Sequence, residues 1–155
     1  MDVAPPDPGR SRLLHATAIA VDGHAAVLLG PSGAGKSDLA LRCLMLGALD
    51  GDRPLRARLV ADDQVHVDSV GGALTCRPPP TIAGRIEVRG LGIMTVPHIE
   101  RARVALVVQL TSGPIERLPE PVTFDILGHA IPALRLTPFE ASAPFKLLLA
   151  LARAI

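Results

Sequence analysis

Residues 25–37 read Ala-Ala-Val-Leu-Leu-Gly-Pro-Ser-Gly-Ala-Gly-Lys-Ser. Five apolar residues, Ala25 to Leu29, run into the octet Gly30-Pro31-Ser32-Gly33-Ala34-Gly35-Lys36-Ser37. Beyond it, Leu39, Leu41, Cys43, Leu44, Leu46 and Leu49 give residues 38–49 a broad apolar face, so a helix is predicted there, fraying near Gly47. Strand, G-x-x-x-x-G-K-[ST] loop and helix in succession make a phosphate cradle. Glycines let the backbone curl until successive N–H groups point at one anion. The helix N-terminus adds its dipole and its unpaired donors. Lys36 is expected to reach the β and γ phosphates and the Ser37 hydroxyl a Mg²⁺ ion. All eight residues of the octet, Gly30, Pro31, Ser32, Gly33, Ala34, Gly35, Lys36 and Ser37, are therefore candidate ATP contacts.

Upstream of the octet, residues 13–21 and 25–29 read as two strands joined at Asp22-Gly23, a hairpin signal. Downstream, residues 50–56 read as a polar loop. A short strand over 58–61 stops at Asp62-Asp63, and its expected place is parallel and next to the strand that feeds the octet. Val65 and Val67 alternate with polar residues, which suggests an exposed strand. Gly71-Gly72 turns it into a strand over 73–77, and Pro78-Pro79-Pro80 is a stiff break. Residues 86–88 are extended. Residues 104–110 form the most continuous β-branched run and are expected to be a central strand. Strands over 122–126 and 131–136 flank Gly128, and a last helix runs from about residue 143 to the end. No internal repeat or second domain is visible. The expectation is one strand-rich α/β domain over 13–155, after a flexible tail over 1–12.

Composition narrows the partners. The chain has 155 residues, 48% hydrophobic and 20% charged, as globular domains do. Its only aromatics are Phe124, Phe139 and Phe145, and the formal net charge is +1. Too few rings for base stacking and no basic excess argue against nucleic acid. No apolar run is long enough for a membrane span. Cys43 and Cys76 stand far apart in no ligand pattern, so two reduced thiols in a cytoplasmic protein are expected. Fourteen of the sixteen basic residues are Arg, and Lys36 and Lys146 are the only lysines. One of two lysines thus stands at the most demanding position of the octet. A GTPase base-reading motif, N/T-K-x-D, has no lysine left to build it.

Phosphoryl transfer needs a metal ligand, a positioner for the nucleophile and positive charge on the migrating group. Asp62 and Asp63, adjacent at a strand end, should point to opposite sides, so one can face the phosphates. Glu87 and Arg89 share one face of an extended segment. His15 and Arg117 carry no pattern of their own.

Together these residues resemble a known family. His15, the octet at 30–37, Leu-Val-Ala-Asp-Asp at 59–63 and Ile-Glu-Val-Arg-Gly-Leu-Gly-Ile at 86–93 occur in the order of the catalytic domain of HPr kinase/phosphorylase. The resemblance covers about residues 13–136 and implies a P-loop kinase core. It further implies ATP and Mg²⁺, and serine phosphorylation of HPr, the phosphocarrier of the bacterial sugar phosphotransferase system. By position it implies Ser37 and Glu87 as metal ligands and the base as either Asp62 or Asp63. His15 would lie against that carboxylate, and Arg117 would touch the transferred phosphate. It also implies self-association, as hexamers. The chain departs from the family at Asp38, where Glu is usual, and at residues 50–58, which look inserted. Residues 138–143 replace a basic, glycine-containing block used for phosphorolysis, so the kinase direction is the expectation. Two other classes fit the octet alone: a nucleotide or small-molecule kinase, and a non-catalytic ATP-sensing regulator.

Overall fold

Asp22 and Gly23 both take positive φ, 51° and 77°, which suits a two-residue hairpin turn. Around that hairpin the computed structural model, which describes residues 10–155, builds thirteen strands and two longer helices. In chain order they begin β1 (Ser11–His15), β2 (Thr17–Val21), β3 (His24–Leu29), α1 (Lys36–Leu46), β4 (Ala48–Asp50), β5 (Arg53–Leu55) and β6 (Arg58–Ala61). Next come β7 (Gln64–Val70), β8 (Ala73–Arg77), β9 (Arg85–Val88), β10 (Gly92–Thr95) and β11 (Ala102–Leu110). The chain closes with β12 (Val122–Ile126), β13 (His129–Leu136) and α2 (Ala143–Ala154).

The main sheet runs β1-β7-β8-β11-β3-β2-β6, with β13 also on β11 and β12 on β13. As its apolar run suggests, β11 is central. It lies parallel to β3 on one edge, and on the other it pairs with β8 and then β13. Alternation along the strands sends side chains to two cores. Ile19, Val21, Ala26 and Leu28 face α1 and α2, which bring Leu39, Cys43, Leu147, Leu148 and Leu151. Ala18, Ala20, Ala25 and Val27 face the other way, where Val65, Val67, Leu74 and Ile131 cover them.

Several local expectations change. Residues 13–21 are two strands, because at Ala16 the chain leaves β7 for β3 and β6, and the Ala16 N–H bonds Asp63 O at 3.1 Å. The first helix spans Lys36–Leu46, not 38–49. Gly47, at φ 66°, ends it with its N–H on Cys43 O. Residues 48–50 then pair with 53–55, so the polar stretch after the helix encodes a hairpin turn at Gly51 rather than a plain loop. Val65 and Val67 are fully buried; their alternation marks one covered face, not an exposed strand. Residues 86–88 belong to a hairpin of β9 with β10. β6 is not beside β3, since β2 lies between them. Because β2 is antiparallel to both, β6 still runs in the direction of β3 and brings Asp62-Asp63 to the same end of the sheet. Of the tail expected over 1–12, residues 1–9 lie outside the described residues, while Ser11 and Arg12 belong to β1.

Among the described residues no helix is long and apolar enough to cross a membrane. Cys43 and Cys76 are both buried and unpaired. Desolvation pushes each thiol up to about 12. Neither holds a reactive thiolate at neutral pH. Ellman's reagent is therefore expected to label neither in the native protein and both after denaturation. Rapid native labelling of either would contradict the packing described.

Candidate active site

The loop between β3 and α1 curls as its glycines require. Gly33 and Gly35 hold φ at 82° and 101°, and the Ala34 N–H bonds Pro31 O at 3.0 Å. A Cβ at Gly30 would lie 2.9 Å from that of Ala34, so only glycine allows the close return. Lys36, the first residue of α1, folds back across the loop and donates to the carbonyls of Gly30 and Pro31. The ammonium thus sits on the mouth of the cradle, with the helix N-terminus behind it. A cleft of about 450 Å³ opens there, lined by Ser32, Gly33, Gly35, Lys36 and Ser37 from the loop and by His15, Thr17, Asp63, Glu87 and Arg89 opposite.

The two adjacent aspartates do separate, but through a bend beyond the end of β6 and not by strand alternation. Asp62 is buried and saturated. Its Oδ1 accepts from Ser37 Oγ at 2.6 Å and Thr17 Oγ1 at 3.0 Å, and its Oδ2 accepts from the Glu87 N–H at 3.1 Å. Asp63 turns outward through a left-handed φ of 68°. Among the described residues, His15 Nε2 at 2.9 Å is the hydrogen-bond partner of its carboxylate. The side chains of His15 and Asp63 are 52% and 70% exposed, so the pair keeps an open side. His15 is delivered by β1, where it pairs in register with Gln64, next to Asp63.

Thr17 was not singled out by the sequence, yet it links the Asp62 carboxylate to the Asp63 backbone. Its hydroxyl donates to Asp62 and accepts from the Asp63 N–H at 3.3 Å. No motif marked it: Ala16, between Thr17 and His15, is where the chain changes strand partners, so alternation does not carry from one to the other. Glu87 and Arg89 both line the cleft, and the Glu87 backbone bond to Asp62 ties their hairpin to the loop serine. Arg117 is not brought to them. It is exposed between β11 and β12 and does not line the cleft. Phe139 lines it beside Gly35, unmarked by any motif.

Among the described residues no three His, Cys, Asp or Glu side chains converge as a metal cluster. The hard oxygens of Ser37 and Glu87, which line the cleft, fit Mg²⁺ nonetheless, because that ion takes one or two carboxylates and completes its shell with substrate phosphates and water. Chemically, the arrangement offers a saturated carboxylate on the loop serine and an open one facing solvent.

Comparisons with known proteins identify the family and the fold. Residues 9–140 match the family model described as HPr Serine kinase C-terminal domain. An HPr kinase/phosphorylase of Burkholderia lata is 35% identical over 130 residues, 76% of this chain and 38% of that protein. One of Clostridium tetani is 38% identical over 86 residues, 56% of this chain and 25% of that protein. The chain thus spans well under half of these curated relatives. The solved structure of the Hpr(Ser) kinase/phosphatase from Coxiella burnetii shares the fold, with TM-score 0.72 and 24% identity over 92% of this chain and 88% of that one. A family match across most of the chain, on a fold shared at this level, makes the protein a member of the HPr serine kinase C-terminal domain family.

Proposed function

We propose that this protein transfers the γ-phosphoryl group of ATP to a serine of an HPr-type phosphocarrier. The division between Asp62 and Asp63 carries the reading. A serine hydroxyl is a poor nucleophile and needs a carboxylate within hydrogen-bond reach to take its proton. Asp63 keeps lone pairs open to the cleft, so it is the base. His15, which lines the cleft beside it, holds it in orientation. Asp62 is already filled by Ser37, Thr17 and Glu87, so it organises the loop serine and the metal side of the site.

The N–H groups of residues 30–37 and Lys36 hold the phosphates. Ser37 and Glu87, which both line the cleft, would hold Mg²⁺, which would supply positive charge to the phosphates, while Asp62 orients Ser37 from behind. Arg89 on the cleft wall supplies positive charge to the migrating group, the role the resemblance implies for Arg117. Residues 138–143 carry no basic block, so the forward reaction is the principal one and phosphorolysis is secondary. Near-neutral charge argues against a nucleic-acid partner, the reduced buried thiols support a cytoplasmic protein, and self-association follows from the resemblance.

The test combines purified protein with ATP, Mg²⁺ and HPr, against a panel of nucleotide and small-molecule hydroxyl acceptors. One phosphate on an HPr serine, abolished by EDTA, is the expected result. Transfer to a small acceptor with HPr unmodified would replace this reading with a small-molecule kinase. ATP binding without any transfer would leave a nucleotide-sensing regulator.

A further inference from the structure

Phe139 is one of three aromatic residues in the chain, and it stands 70% exposed. Its segment is nevertheless braced on both sides. Arg42 of α1, itself paired with Asp38 at 3.0 Å, donates to the carbonyls of Pro138 and Glu140, the two neighbours of the ring. Glu140 in turn bonds Lys146 at 2.8 Å and Thr137 at 3.0 Å. The ring's edge lies against the loop: a Cβ on Gly35 would come within 2.9 Å of it. An apolar ring is thus fixed at the lip of a phosphate cradle with much of its surface open to the cleft.

We propose that Phe139 is the nucleobase platform of the site, on which the adenine of ATP stacks while its phosphates lie on residues 30–37. The proposal rests on the ATP reading above and adds what the octet lacks. Backbone N–H groups and Lys36 read phosphate and are blind to the base. An aromatic face holds any base by its π surface, without reading its edge.

The experiment measures binding of Mg·ATP and of Mg·tripolyphosphate by calorimetry to wild type, Phe139→Leu and Phe139→Tyr. Leu keeps an apolar contact with the Gly35 loop and removes the π face; Tyr keeps both. ATP is expected to bind about tenfold or more weaker to Phe139→Leu. Its binding to Phe139→Tyr, and tripolyphosphate binding to all three proteins, should not change. Equal weakening of both ligands in Phe139→Leu would make the ring a mere buttress of the loop and overturn the proposal. Unchanged ATP binding in Phe139→Leu would overturn it as well, while leaving the phosphate loop intact. Wild type binding neither ligand would instead strike the loop reading, and the platform with it.

Discussion

Asp63→Asn is expected to slow phosphoryl transfer to HPr by about 10²–10⁴-fold, the scale of a positioned general base, at unchanged ATP affinity. The substitution is nearly isosteric. Asn can still bond His15, and its backbone N–H still reaches Thr17, but its side chain cannot take up the serine proton. Asp62→Asn should behave differently. Asp62 accepts from Ser37, Thr17 and Glu87, so an amide in its place turns a donor toward at least one of those donors. Mg·ATP binding and thermal stability are then expected to fall along with the rate. Transfer rates and ATP dissociation constants, measured side by side, separate the two. Weakened ATP binding in Asp63→Asn at a near-normal rate would reverse the assignment.

The second large effect is on stability. Asp68 is fully buried, and its carboxylate accepts from Arg77 Nε at 2.8 Å and Ser11 Oγ at 2.8 Å. The Arg77 side chain is 29% exposed, so the costly half of the pair is the carboxylate. Arg77→Ala leaves that charge buried without its cation, and urea unfolding should show a loss of about 3 kcal/mol. Replacing both partners, Asp68→Leu with Arg77→Leu, should recover most of it, because the desolvated charge is gone. A loss below about 1 kcal/mol would place the pair among solvent-screened surface contacts.

The cradle was legible because its motif encodes backbone shape directly: the fixed glycines are Gly30, where a Cβ would meet Ala34, and Gly35, which takes a left-handed φ. Turns at Asp22-Gly23, Gly71-Gly72 and Gly128 were legible for the same reason. Sheet order was not. Nothing local says that β2 inserts between β3 and β6, or that Ala16 is where the chain changes partners. The β4–β5 hairpin escaped because three-residue strands leave no periodicity to count. The separate duties of Asp62 and Asp63 depend on one left-handed residue, and an Asp there looks like any other in sequence. Arg89 reaches the cleft on a hairpin held there by the Glu87 N–H bond to Asp62, and Phe139 through an arginine brace from α1, contacts that span long sequence separations.

The most direct single measurement is mass spectrometry of HPr after incubation with saturating Mg·ATP and either wild type or Asp63→Asn. Phosphoserine from wild type, and almost none from Asp63→Asn at equal ATP occupancy, is the expected result. HPr left unmodified by wild type, or modified at the wild-type rate by Asp63→Asn, would contradict it.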